Sequence, residues 1–305
     1  MYRENQPSVS VVIASHNASS VIQECLENLV LQNEEGIMEI IVADSSTDHT
    51  PDLISSKFTD VRLLQFQEPL TISQLRGRGI ASARGQIIAV LDPYSMVTDD
   101  WLSELLRVHS VRPNLIIGGT VELYGAASAS VFSWATYINE YGMFMSPVRE
   151  GETKILPGSN ISYKREVLFE DSNPRFPEFW KTFVNGSVEE QNSPLWLAPS
   201  IVVCLNKPIS FGDYWRTRFH HGRCFAGMRN ASAGSGERVF RAITAPGIPF
   251  VLLWRWSKIY WAKRRYRSKL LTTLPFQILL FGNWAFGELV GYCTGSGQSC
   301  DKLYY

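Results

Sequence analysis

The apolar run "IIAVL" (Ile87–Leu91) ends on a carboxylate, Asp92, followed by Pro93, Tyr94 and Ser95. A charge closing a buried strand stands at the edge of the core, where it can reach a ligand. Sites that hold a metal–nucleotide complex commonly set two carboxylates there, two residues apart. Here Tyr94 occupies the second place. The stretch reads either as a metal site with half its ligands or as a strand running into a turn. Two more polar clusters close β-branched runs: Ala14, His16 and Asn17 after "SVSVVI", and Asp44, Ser45, Ser46 and Asp48 after "MEIIVA".

The elements that must position these clusters alternate. Apolar spacing in "SSVIQECLENLVLQ" predicts a helix capped by Ser19 or Ser20. Pro51 opens a second helix in "DHTPDLISSKF", and "TISQLRGRGIASAR" is a third. "VRLLQF" and "QIIAVLD" are strands, and Asp99 or Asp100 is placed to cap a helix from Trp101. Strands alternating with helices imply an α/β fold, with a mostly parallel central sheet and helices on both faces. In open α/β sheets ligands bind beyond the C-terminal strand ends, and the three polar clusters are three such ends. Further on, "LIIGGTVEL" is a strand, "SVFSWATYINEYGMF" has no clear form, and "LPGSNISYKREVL" is a turn at Gly158 leading into a helix.

The 305 residues allow one large or two small domains, and 45% hydrophobic with 19% charged residues is a globular composition. Net charge is zero but unevenly spread: residues 1–212 hold 15 Lys and Arg against 25 Asp and Glu, residues 213–305 hold 14 against 4. The basic end is expected to meet a phosphate-bearing ligand or a lipid surface. Residues 255–269 carry seven cations and no acid, with Trp256, Tyr260, Trp261 and Tyr266 among them and apolar stretches on both sides. That pattern fits a membrane interface or an amphipathic helix pair covering the core. Five scattered cysteines with no C-x-x-C pair argue against structural zinc and disulfides, and for a reducing compartment. The N-terminus shows no signal-peptide pattern.

The order of these pieces, from "VSVVIASHNASSVIQECLENLVLQ" through "IIVADSSTDHT" and "LRGRGIASARGQIIAVLD" to "LPGSNISYKREVL", resembles a family 2 glycosyltransferase of the GT-A fold. The resemblance covers about residues 8–168. It implies a GT-A domain over 1–212, with a nucleotide half to about 100 and an acceptor half beyond, and a helical, membrane-associated region over 213–305. It further implies transfer of a sugar from a nucleotide-sugar donor, a UDP-sugar, to a polysaccharide or lipid-linked acceptor on the cytoplasmic side of the membrane, with no nucleic-acid partner.

The family's residue roles map onto matching positions. Ala14, His16 and Asn17 would line the nucleotide, with alanine and histidine where the family has proline and tyrosine. Asp44 and Ser46 would hold the nucleoside, and Asp48 would be structural. Arg76 would meet the diphosphate, although Gly77 stands where the family often has asparagine. Asp92 would bind magnesium or manganese with help from diphosphate oxygens and water. Glu178 in "FPEFWKTF" matches the base that takes the acceptor proton, while Phe179 replaces the usual aspartate. Gly158 and Asn160 would shape the sugar pocket, or form a plain turn and cap. His220, His221 and Arg223 could reach the diphosphate, or His221 could pack. Tyr94 and Phe179 also favour a rival: a relative that binds a nucleotide sugar or glycan without catalysis. No glycine-rich loop follows the first strand, which argues against nucleotidyl transfer and dinucleotide binding.

Overall fold

The structure, a computed structural model, describes residues 7–33, 36–189, 193–231 and 233–303. The chain forms two units: one up to Tyr124 together with Phe144–Lys207, the other Gly125–Met143 with Pro208–Tyr305.

The first unit begins as the alternation predicts: β1 (Val9–Ser15), α1 (Ile22–Leu31), β2 (Met38–Asp44), α2 (Thr50–Lys57), β3 (Val61–Gln65), α3 (Ile72–Ala81) and β4 (Ile87–Leu91). It continues through β5 (Ser95–Val97), α4 (Trp101–Val111) and β6 (Ile116–Leu123). After the second unit's α5 (Val131–Tyr141) come β7 (Gly151–Thr153), β8 (Asn160–Lys164), a short α6 (Arg165–Leu168), a small hairpin of β9 (Phe169–Glu170) and β10 (Asn173–Pro174), α7 (Lys181–Glu189) and β11 (Leu195–Leu205). The main sheet runs β3-β2-β1-β4-β8-β6-β11-β5, with β7 on β11. Strands β3, β2, β1 and β4 are parallel, and β8 is antiparallel to both β4 and β6. The sheet is thus parallel where the nucleotide half was expected and mixed beyond it. β1 and β4 are buried along almost their whole length, as strands covered on both faces must be.

Several local expectations change. The chain after Gly158 enters a strand, β8, and the helix that follows is a single turn. Helix α1 starts after Val21 with no side-chain cap, and the Ser19 amide donates to Asp48. Asp100 is the N-cap residue of α4, but its carboxylate accepts the Thr98 hydroxyl at 2.8 Å rather than a helix amide.

His109 on α4 is 7% exposed and its Nε2 lies 2.8 Å from Ser162 Oγ. Burial, reinforced by Lys164, lowers its imidazole from 6.5 to about 4. The unfolded chain therefore takes up this proton first. Stability from the neutral ring is full above pH 6.5 and is lost as pH falls through about 4, roughly 3 kcal/mol in all. Urea unfolding at pH 7 and at pH 4.5 should show this loss in the wild type and less of it in His109→Gln; equal losses would contradict the assignment.

The second unit is helical: α5, α8 (Phe211–Ala231), α9 (Ser235–Thr244), α10 (Ile248–Lys263) and α11 (Arg267–Thr294). The expected unbroken span 1–212 is corrected by α5, which belongs here. Trp134, Ala135 and Ile138 are buried, Gln277 Nε2 donates to Ala135 O at 2.8 Å, and Asn139 Nδ2 donates to Gln277 Oε1 at 3.1 Å. Helices α8 and α11 touch backbone to backbone: a Cβ on Gly222 or Gly287 would overlap the carbonyl of Trp284 or Phe219. Cys224 and Cys300 are disulfide-bonded. This overturns the expectation of unpaired cysteines, and with it the argument drawn from them for a reducing compartment.

Candidate active site

Strand direction assembles the site. In the parallel trio, Ser15 pairs with Asp44 and Ile13 with Leu91, so the loops after β1, β2 and β4 leave by one edge. β8 runs the other way and pairs Asn160 with Leu91, so the turn before it, Gly158 and Ser159, arrives at that same edge. Four segments that are far apart in sequence meet there.

The side expected to hold a nucleoside is a tight polar knot. Asp44 is fully buried, and its two oxygens accept Ser46 N at 2.9 Å and Ser46 Oγ at 2.7 Å. Asn17 adopts a left-handed backbone (φ 51°). Its amide donates to Ser46 Oγ at 2.7 Å, and its Oδ1 accepts Thr47 N at 2.8 Å and Asp48 N at 3.2 Å. Asn17 thus fixes the Asp44 loop. His16 Nδ1 lies 3.1 Å from Ser45 O, at the same loop. Burial alone would raise the Asp48 carboxyl; hydrogen bonds from Thr50 and Ser19 bring it below its ordinary value, the structural role expected. Ala14 is 2% exposed and packs with Ala43 and Leu75, so its side chain is core.

The side expected to meet a diphosphate is organised by α3. Thr71 and Gln74 form a capping box that fixes its first turn. One turn on, Arg76 Nη2 donates to Asp92 Oδ1 at 2.6 Å, and both side chains are largely buried. Asp92 also closes a turn: its amide donates to Ser95 Oγ at 3.2 Å and its carbonyl accepts Ser95 N at 3.0 Å. Tyr94, in the place of a second carboxylate, has Lys207 Nζ 5.5 Å from its ring centroid.

Helix α3 also holds the candidate base. Gln74 Nε2 donates to Glu178 Oε1 at 3.1 Å, and Trp180 Nε1 donates to Glu178 Oε2 at 3.0 Å. Glu178 itself is exposed. Both departures from the family pattern acquire reasons here. A Cβ at position 77 would overlap the Pro177 carbonyl oxygen, so glycine lets α3 dock on the Glu178 loop. Phe179 is 1% exposed, meets Tyr163 edge-on at 5.4 Å, and donates its amide to Ser73 O at 2.8 Å. It anchors the loop that presents Glu178.

The remaining expected residues divide. Gly158 lies beside Lys181, whose Cδ would be 3.9 Å from a Cβ there. Asn160 is not a pocket residue: it is 2% exposed and its polar atoms are spent on Thr120 O, Ile201 O and Trp101 Nε1. Arg223 belongs to the second unit, where Nε donates to Gly295 O at 3.2 Å and Nη2 to Thr294 Oγ1 at 3.4 Å, tying down the end of α11. His220 does the same through Ser299 Oγ at 3.1 Å, and His221 rests against Trp284 and Phe225. All three belong to the second unit.

Lys181 was missed by the sequence reading. It opens α7 and donates to Leu156 O at 2.5 Å. Burial first, then the Arg76 cation, pull its ammonium down to about 8, against the opposing pull of Asp92. The one signal was its place three residues after Glu178.

Whether these residues suit a divalent ion is testable on the donor set. Among the described residues no group of three or more His, Cys, Asp or Glu could hold a metal. Asp92 is a lone acid paired to a guanidinium with an ammonium nearby. Divalent hard cations want several oxygen donors and no competing positive charge, so the expected metal role of Asp92 does not fit this arrangement.

The mixed α/β sheet flanked by helices is the fold of the GT-A glycosyltransferases, and comparison with known proteins bears out the fold. The model of Glycosyl transferase family 2 matches residues 10–170, just over half the chain, and the chain belongs to that family. EpsH of Bacillus subtilis, a glycosyltransferase by name, is 33% identical over 113 residues, 36% of this chain and 33% of its own length. The chain thus spans about a third of that relative. In fold, the mannosyltransferase PcManGT of Pyrobaculum calidifontis, solved with GDP-Man and Mn2+, superposes with a TM-score of 0.56 at 15% identity, covering 95% of this chain and 88% of that one. S. aureus TarS 1-349 in complex with UDP-GlcNAc gives 0.53 at 13% identity, covering 94% and 92%.

Proposed function

We propose that this chain transfers a sugar from a nucleotide-sugar donor, a UDP-sugar, to a hydroxyl of a glycan or lipid-linked acceptor with inversion. The observation that carries the reading is α3, which holds Arg76 on Asp92 and Gln74 on Glu178. One helix thereby links a cation for the leaving group to a carboxylate for the acceptor. In the reaction, the acceptor oxygen bonds to the anomeric carbon and its proton passes to Glu178. The anomeric C–O bond breaks with its electron pair leaving on the diphosphate oxygen, beside Arg76. Asp44 and Ser46 hold the nucleoside. Proteins with this fold are solved with UDP-GlcNAc and with GDP-Man, so the donor panel sets uridine against guanosine. Proton NMR of a donor panel incubated with the enzyme and glycan acceptors tests this: a product anomeric proton of inverted configuration with free UDP is expected. Binding of donor without turnover would favour the non-catalytic rival.

The second unit is proposed to lie on a membrane surface, facing the compartment that supplies nucleotide sugars, expected to be the cytoplasm. Phe240, Ile243, Phe250, Trp254 and Trp261 are exposed, while Trp256 and Tyr260 turn inward. Lys258 Nζ lies 3.9 Å from the Trp254 ring centroid and Arg267 Cζ 4.6 Å from that of Trp261. Exposed aromatics beside cations suit an anionic lipid interface. Among the described residues α11 is the one helix long and apolar enough to cross a bilayer. Its Gln277, Asn283 and Glu288 are buried and paired within the unit, which favours lying over crossing. Flotation with phosphatidylglycerol vesicles should succeed for the wild type and fail for Phe250→Glu with Trp254→Glu; equal flotation of both would contradict the surface.

A further inference from the structure

Two donors at the diphosphate side stand out because the protein leaves them unfinished. Arg76 spends Nη2 on Asp92, yet its Nε is buried with no hydrogen-bond partner. A buried N–H without an acceptor is costly, and each such case in a folded protein calls for an explanation. Lys181 carries three N–H donors, and Leu156 O is its one hydrogen-bond acceptor among the described residues. The Lys181 stem runs past Gly158 in the turn that precedes β8, at the edge where Asp92 ends β4. Ser159, the next residue of that turn, is fully buried and its hydroxyl also lacks a partner. Arg76 is ion-paired to Asp92 and Lys181 feels the charge of both, so the cluster sets two cations against one carboxylate.

We propose that Arg76 and Lys181 together form a preformed diphosphate site that takes the place of a divalent metal, so that this chain binds the diphosphate of its donor without one. The inference rests on the donor reading above. Asp92 then acts as the clamp that orients the Arg76 guanidinium, leaving the Nε edge for an oxygen anion. Lys181 supplies a second, mobile point charge with donors to spare. Charge-assisted hydrogen bonds from both meet the oxygen that receives the electron pair when the glycosidic bond breaks. This also accounts for Tyr94. A second carboxylate two residues after Asp92 would bring a negative charge to a site that already neutralises the diphosphate with cations.

Calorimetric titration of UDP, inorganic pyrophosphate and uridine into the full chain, in EDTA and then in manganese, tests this for the wild type, Lys181→Met and Lys181→Arg. Methionine keeps the length of the stem and removes a buried charge, so folding should survive; arginine keeps the charge. Wild-type affinity for UDP and pyrophosphate should agree within about twofold between EDTA and manganese. Lys181→Met should weaken both by about 10- to 100-fold, leave uridine within twofold, and be largely rescued by Lys181→Arg. Pyrophosphate bound in EDTA without UDP would uphold the cation pair and overturn only the choice of uridine. UDP binding that vanishes in EDTA and returns with manganese would overturn the inference and leave the donor reading standing. So would Lys181→Met binding UDP and pyrophosphate as the wild type does. No binding of either anion in any buffer would overturn both.

Discussion

Glu178→Gln is expected to lower sugar transfer by about 10³-fold and to change UDP affinity by less than about threefold. The size follows from what the side chain supplies. A positioned general base contributes roughly 10²- to 10⁴-fold, and an amide of the same shape has no site for the acceptor proton. The selectivity follows from where the side chain sits. Glu178 is exposed and bonded to Gln74 and Trp180, both neutral donors. Neither bond touches Asp44, Arg76 or Asp92. The loop itself is held by Phe179, through its buried ring and its amide bond to Ser73 O, so the variant keeps the loop's shape. Steady-state kinetics should show the loss in kcat with the donor KM nearly unchanged. A wild-type rate would remove Glu178 from the chemistry, and a parallel loss of UDP affinity would make it a structural residue.

Asn160→Ala destabilises the first unit by roughly 4 kcal/mol. The mechanism is three orphaned groups in one place. Asn160 Nδ2 donates to Thr120 O at 2.8 Å and Ile201 O at 2.9 Å, and its Oδ1 accepts Trp101 Nε1 at 3.2 Å. Register between β6 and β11 shifts between Ala198 and Val202, so the carbonyls there lose regular sheet partners. Asn160 and the Thr120 hydroxyl, which donates to Pro199 O at 3.0 Å, repair that bulge. Each buried group left unpaired costs about 1–3 kcal/mol, and relaxation recovers part of the total. Gly119 shows how tight the place is, since a Cβ there would overlap both Ile201 O and Asn160 Nδ2. Chemical denaturation should read the loss directly. On the folded fraction, UDP affinity should stay within threefold, because Asn160 offers the pocket no polar atom. A variant of native stability with weakened UDP binding would restore the pocket role that the sequence suggested.

That contrast marks what the sequence could and could not convey. The alternation of strand and helix to Asp92 was legible because β1, β2 and β4 are apolar runs too short for helices, bounded by polar turns. The strand ends carried their polar clusters openly, so Asp44, Asn17 and Asp92 could be singled out, and Arg76 followed from the family resemblance. Their pairing could not. That Arg76 grips Asp92, sixteen residues on, depends on α3 packing across β1 and β2. Gly77 and Phe179 looked like departures from a pattern. They become packing solutions once α3 is seen docked on the Pro177–Glu178 backbone. Asn160 was misplaced because a buried asparagine in a strand and a turn asparagine share one local sequence. Lys181 was hidden for the opposite reason: a lysine after Trp180 reads as surface until the turn at Leu156 is folded against it. The Cys224–Cys300 bond joins residues 76 apart, a separation no spacing rule marks. Likewise α5 is aromatic on several sides because it is buried among helices of the second unit, which blurs its periodicity.

The account stands most directly on where a nucleotide binds. A crystal structure of the full chain soaked with UDP should place the nucleoside against Asp44 and Ser46, with the diphosphate within hydrogen-bond reach of Arg76 beyond the C-terminal ends of β1, β2 and β4. UDP seated anywhere else on the chain, with this edge untouched, would contradict it.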